Sequence, residues 1–229
     1  MDNLKKNLEQ REKPELIAII THMLRQEPDL EWLLTTPLPT AASREASIDP
    51  KIYQRQIVAA MSVNDNQRKR KRGEVQRRLT AIKSIADELV TQANYAAALT
   101  IYEVLVNEVI EHYNDYRNEY VAFSVILMGC IDGLDSCFAG EEDNPELRLR
   151  ILRTLFAIYR FYTDSEMDLD EDIPGLLVGN TTSEERQVIA SWVRDALAEA
   201  KGAKWSSSSR QQRYNTFLLA LEEDEKDHE

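Results

Sequence analysis

The sequence predicts an all-α protein of stacked, antiparallel helix pairs, and three observations carry that prediction. Glycine and proline number only seven each among 229 residues, while alanine, leucine, glutamate and arginine, the good helix formers, are plentiful. No sustained run alternates apolar with polar residues between turn signals, so strands have little support. Residues 81–113, AIKSIADELVTQANYAAALTIYEVLVNEVIEHY, read as two helices joined by a short bend.

Small residues stand where those two helices have to touch. Ala86 and Ala98 are twelve apart, one near the middle of each helix, and neither has bulk to hold the backbones apart. Tyr95 opens the second helix, and Tyr102, one turn beyond Ala98, fills the space above the contact. That is the pattern of a tetratricopeptide-like helical hairpin, which buries its faces only by stacking on neighbours. The expected organisation is an N-terminal helical segment and linker over 1–47, a helical-repeat domain (an α-solenoid) over 48–221, and an acidic disordered tail over 222–229.

In chain order, residues 14–34 read as one helix or a broken pair with Leu16, Ile19, Ile20, Met23 and Leu24 on one stripe. Pro28 can open a second turn carrying Leu30, Leu33 and Leu34, and the proline-broken stretch 35–47 reads as a linker. Asp49-Pro50 supplies an N-cap and a first-turn proline for a helix with Tyr53, Ile57 and Met61 at four-residue spacing. Residues 63–73 are polar and strongly basic, a further connection. After the hairpin, 117–139 places Tyr120, Phe123, Leu127, Ile131 and Leu134 at three or four residues, with Gly129 and Gly133 permitting close helix contact. Asn144-Pro145 repeats the start signal. The helix behind it has Leu147, Ile151, Leu155, Ile158 and Tyr162 on one face, widened by Leu152, Phe156 and Tyr159, so it should be the most buried. Residues 164–181 read as an acidic loop with a short apolar piece at 173–178. Thr182 and Glu185 form a capping box ahead of Val188, Ile189, Trp192, Val193, Ala196 and Leu197, and Gly202 stops that helix. A last helix starts near 206–209 and carries Tyr214, Phe217, Leu218 and Leu221.

Charge is uneven: residues 1–80 hold 15 basic against 11 acidic side chains, and 81–229 hold 13 against 29. An acidic body repels nucleic acid and anionic membranes. No apolar run approaching the roughly 20 residues of a bilayer span is read, and the N-terminus lacks a hydrophobic signal core, so no membrane and a cytoplasmic location are expected. Cys130 and Cys137, seven apart on one helix, would have Cα atoms about 10 Å apart, too far for a bridge, and fit a reducing compartment.

Candidate chemistry is sparse. Asp168, Asp170 and Asp172 match the opening of a calcium loop, but Ile173 stands where its turn needs glycine and Gly179 where it needs glutamate. The reading is a solvated acidic loop, with no metal and no cofactor. Arg68, Lys69, Arg70, Lys71 and Arg72, with Arg77 and Arg78 beyond, are the concentrated positive charge and could contact phosphates or an acidic partner. No aromatic residue lies between Tyr53 and Tyr95 to stack bases, so a solvated linker or an acidic protein contact is favoured. His22, His112 and His228 have no sequence neighbours that would make a catalytic pair, no phosphate-binding glycine pattern occurs, and the aromatic stripe 156–162 reads as core.

The order of parts resembles the helical region that accompanies SWIM zinc-finger segments in bacterial proteins. The matching pieces are Glu27-Pro28-Asp29-Leu30, Asp49-Pro50 with Tyr53, Arg55, Gln56 and Ile57, Asp87-Glu88-Leu89, Tyr95-Ala96-Ala97-Ala98-Leu99, and Glu184-Glu185-Arg186 leading to Trp192. They cover most of residues 14–220, and the resemblance implies a tetratricopeptide-like α-solenoid of mostly unassigned function. The SWIM element itself is a cysteine-and-histidine zinc site, and this chain has no CxC or CxH pair, so zinc binding is not carried over. The expected function is a non-enzymatic protein–protein interaction scaffold, its groove lined by exposed residues of 74–91 and 117–137. The alternative is a nucleic-acid-associated accessory protein acting through residues 68–78.

Overall fold

The structure, a computed structural model, describes residues 2–26, 48–61, 73–115, 120–141, 143–167, 172–202 and 208–223. Among them the regular structure is entirely helical, as the all-α reading requires. The chain divides into two compact units, residues 1–40 and 41–229.

In the first unit, α1 (Asp2–Glu9) and α2 (Lys13–Gln26) are short and carry no buried residue along α2. Leu16, Ile19 and Leu24 are half-buried, whereas Ile17, Ile20 and Met23 are exposed, as are Leu4 and Leu8 of α1. The expected second turn at Pro28 and the linker lie outside the described residues.

The second unit holds α3 (Pro50–Met61), α4 (Glu74–Thr91), α5 (Tyr95–His112), α6 (Tyr120–Gly140), α7 (Pro145–Asp164), α8 (Ile173–Gly179), α9 (Ser183–Gly202) and α10 (Ser208–Glu223). The start signals act as read. The Asp49 carboxylate accepts from the Lys51 amide at 3.0 Å, and the Asn144 side chain from Leu147 at 3.1 Å. Thr182 and Glu185 exchange both capping-box bonds, at 3.0 and 3.2 Å. Each satisfies amides that a helix start leaves without intrahelical partners.

The α4–α5 bend works without glycine. Ala93 adopts φ 57°, its amide bonding Val90 O at 2.9 Å, and the Asn94 amide reaches back to Leu89 O at 2.9 Å. That bond pair is a Schellman motif with alanine in the left-handed position, and Asn94 then caps α5 by accepting from Ala97. Glu166 at φ 55° closes α7 in the same way, with Met167 N bonding Tyr162 O at 3.0 Å.

Packing follows chain order from α3 to α7. α3 packs on α4 and α5, α4 on α5 and α6, α5 on α6 and α7, and α6 on α7. α7 then carries α8, α9 and α10, while α9 pairs with α10. Ala86 and Ala98 are both fully buried, one on α4 and one on α5, two helices that pack on each other. α7 buries all eight of its expected core residues, Leu147, Ile151, Leu152, Leu155, Phe156, Ile158, Tyr159 and Tyr162.

Several expectations change. The piece at 173–178 is a helix, α8, capped by the Asp172 carboxylate accepting from Gly175 N at 2.9 Å; seven residues are too few for a periodic signal. On α9, Val188 is exposed, and Arg186 and Ala190 are buried instead. α6 is long and apolar enough over Val121–Gly140, by length and composition, to cross a bilayer, contrary to the sequence reading. More than half of that stretch is buried here between α4, α5 and α7, so its apolarity matches the core position it occupies. α10 continues through Glu223, two residues into the expected tail, and 224–229 lie outside the described residues.

Candidate interaction face

One polar network sits where α4, α5 and α6 meet. Lys83 and Asp87, one turn apart on α4, form an ion pair at 2.8 Å, and the Tyr102 hydroxyl of α5 donates to the same carboxylate at 2.7 Å. α6 makes room for all of this by lacking side chains. A Cβ on Gly129 would stand 2.9 Å from Lys83 Cε, and one on Gly133 only 2.2 Å from the Tyr102 hydroxyl. Gly140 does the same for the Tyr95 ring, at 2.2 Å. The close contact expected at Gly129 and Gly133 is therefore a contact of side chains with a bare helix face.

This cluster holds helices together and is poorly suited to proton transfer or nucleophilic attack. Burial, assisted by the bond to Asp87, pushes the Tyr102 phenol far above its ordinary value. Burial pushes the Cys130 and Cys137 thiols up to about 12, with Lys83 partly opposing at Cys130 and Asp87 adding to the rise at both. All of these groups stay protonated at neutral pH.

The solvent side of the α4–α6 layer is a strip. Arg77, Thr80, Ser84 and Glu88 are exposed along α4, and Val121, Val125, Asp132 and Ser136 along α6. Val121 and Val125 are large apolar groups in water, at 54% and 44% exposure. Of the basic segment, Arg68, Lys69, Arg70, Lys71 and Arg72 lie outside the described residues. Arg77 is exposed, and Arg78 pairs with Glu74 on its own helix.

Elsewhere, polar contacts bind the layers. The Arg148 guanidinium lies 3.9 Å over the Phe138 ring and bonds both Glu185 oxygens at 2.8 and 3.0 Å. It also donates to Glu141 O and Asn180 O, joining the end of α6, the start of α7 and the α8–α9 turn. Arg150 joins α7 to α5 through Glu103 at 2.6 Å, and Gln54 joins α3 to α5 through Glu108 at 2.7 Å. A cavity of about 360 Å³ between α7, α8 and α10 is lined by Tyr159, Pro174, Arg213 and Phe217 among others. Arg213 already donates to Met167 O there at 2.6 Å.

The acidic loop is partly taken up by structure: Asp172 caps α8, and Asp164 accepts from Tyr214 at 2.9 Å and pairs with Arg160. Asp168, Asp170 and Glu171 lie outside the described residues. The Lys83–Asp87–Tyr102 network was not read from the sequence. Its available signals were the Lys83/Asp87 spacing of four and the glycines four apart on α6. Comparison of the chain with protein families, with curated proteins and with solved structures gives no match in any of the three.

Proposed function

We propose that this chain is a non-enzymatic protein-interaction scaffold: a short tetratricopeptide-like α-solenoid whose groove holds a segment of another protein in the cytoplasm. The observation that carries this reading is the packing order of α3 to α7, in which each helix lies on the next and the next but one wherever both belong to that run. Stacked helix pairs pack this way, and they present the first helix of each pair along a continuous binding surface. With α4–α5 and α6–α7 as the pairs, those first helices are α4 and α6. Their strip of polar and charged residues with two exposed valines suits a peptide that adds apolar contact and hydrogen bonds. The likeness to SWIM-associated helical regions points the same way.

The test is purification of the tagged chain from its own host at moderate salt, with and without nuclease. The comparison is a variant carrying Ser84→Arg and Val125→Glu on the strip. A stoichiometric protein that survives nuclease and is lost from the variant is the expected result. Companions that vanish with nuclease would favour the second reading, phosphate contact through residues 68–78, which salt should weaken steeply. Companions retained equally by the variant would remove the α4–α6 strip as the binding surface.

A further inference from the structure

The strip on α4 and α6 has a direction. Lys83 of α4 lies beside Gly129 of α6. Four residues on along both helices, Asp87, through the Tyr102 hydroxyl, lies beside Gly133. The two helices therefore run the same way in one register, which sets Arg77 and Thr80 level with Val121 and Val125, and Glu88 level with Asp132 and Asp135. At about 100° per residue, those α6 residues fall within an arc of about 100°, and Arg77, Thr80, Ser84 and Glu88 within about 80°. Each helix thus offers its set on a single face.

The two ends differ in chemistry. One end carries the exposed pair Val121 and Val125 beside Arg77. The other is acidic: Glu88 and Asp132 are exposed, Asp135 is half-buried, and the Asp87 side chain is 41% exposed. Among the described residues Lys83 pairs with Asp87, and no basic side chain pairs with Glu88, Asp132 or Asp135. Both helices also run toward this end, and neither has a basic residue in its last turn. The last carbonyls of a helix favour a cation, so two helix ends and four carboxylates ask for positive charge there, and Lys83 answers only one of them.

We infer that this groove takes a basic peptide with an apolar anchor. An extended segment of the partner lays an apolar side chain on Val121 and Val125, and a lysine or arginine four residues away lies among Glu88, Asp132 and Asp135. The spacing follows from the two geometries. From the midpoint of the valines to Asp132 is about 13.5 Å of helix. In an extended chain, side chains four residues apart share a face and stand about 13 Å from each other. An acidic segment would set like charges against that end, which disfavours it. The inference rests on the scaffold reading and specifies the chemistry of the segment held.

The probe is a labelled nonapeptide with leucine at its centre, a lysine four residues to either side and serine elsewhere, so either chain direction can seat it. Its fluorescence anisotropy is followed at moderate salt as the full chain is titrated in. Wild type is expected to bind it and to leave the same peptide with glutamate for lysine unbound. Asp132→Asn with Asp135→Asn should weaken binding roughly three- to tenfold, and Val125→Ser at least about threefold. Glu111→Gln with Asp195→Asn removes the same net charge from exposed positions on α5 and α9 and should change nothing. Circular dichroism checks that each variant is folded. A wild type that takes neither peptide, or prefers the glutamate one, overturns the inference. Equal weakening by the two double variants does so as well, since net charge alone would then explain the contact. The tagged purification separates this from the scaffold reading. A native companion lost from the Ser84→Arg, Val125→Glu variant but fully retained by Asp132→Asn with Asp135→Asn leaves the scaffold standing and removes the basic-peptide assignment.

Discussion

Replacing Gly133 with alanine isolates the contact at the centre of the α4–α5–α6 layer. The added methyl would stand 2.2 Å from the Tyr102 hydroxyl oxygen and 2.3 Å from its ring carbon, well inside van der Waals contact. Tyr102 is fully buried and its hydroxyl is held by Asp87 at 2.7 Å, so the ring has little room to withdraw. Overpacking of this kind costs roughly 1–3 kcal/mol, and pulling the hydroxyl off a carboxylate adds roughly 1.5–3 kcal/mol if the ring is forced away. The opposing gain is helix propensity, about 1 kcal/mol for glycine to alanine. The net expectation is a loss of about 2 kcal/mol, or a Tm lower by about 4–8 °C in a chain of this size. Gly129→Ala is the control. Its methyl would meet the far end of the flexible Lys83 stem at 2.9 Å, which can shift by a few tenths of an ångström where the Tyr102 ring cannot, so propensity should win and the variant should be unchanged or up to about 1 kcal/mol more stable. Urea unfolding followed by circular dichroism measures both. In a Tyr102→Phe background, which lacks the nearest atom, the Gly133→Ala effect should be smaller than in wild type. A Gly133→Ala protein as stable as Gly129→Ala would refute the close approach.

Arg148→Lys should destabilise by about 2–3 kcal/mol in the same assay, because an ammonium cannot reproduce the two-oxygen bond to Glu185 or lie flat on Phe138. At Glu185, burial acts to raise the carboxyl, but bonds from Arg148 and Thr182 outweigh it and hold the group below its ordinary 4.5. A depressed folded pKa contributes stability above the unfolded value that disappears as pH falls through the folded one, so Glu185→Gln should flatten the loss of stability below about pH 4. Cys130 and Cys137, both raised to about 12 by burial, should resist a thiol-specific reagent at pH 8 in the native protein and react fully once it is unfolded. Ala93→Gly should raise stability by about 0.5–1 kcal/mol, since the left-handed φ of 57° costs alanine more than glycine; calorimetric Tm checks the direction.

What could be read ahead of the structure was local. The caps at Asp49, Asn144 and Thr182 each depend on residues within three positions, and the burial of Ala86 and Ala98 on a hairpin spacing of twelve. The network of Lys83, Asp87 and Tyr102 against Gly129 and Gly133 depends on how α6 returns across the hairpin, more than thirty residues later, and no short-range pattern encodes that. The α4–α5 bend was located without its mechanism, because alanine holds a conformation that usually advertises itself with glycine. α8 went unread because an acidic run disguised its cap, Asp172. The strip on α4 and α6 follows from which faces the other helices leave open, so only the ranges containing it could be stated beforehand.

The bare face of α6 has a mechanical consequence. Tyr95 and Tyr102 are seven residues apart on α5, and the glycines that receive them, Gly140 and Gly133, are seven apart on α6 in the reverse direction. The two rings act as teeth in matching notches. Sliding α6 by one turn toward either end would drive at least one ring into a residue that has a side chain, Ser136 or Cys137 among them. Helices that pack through smooth aliphatic ridges can shear past one another; these two must travel as one piece. Any flexing of the second unit then falls to its other seams, above all where α9 and α10 rest on α7.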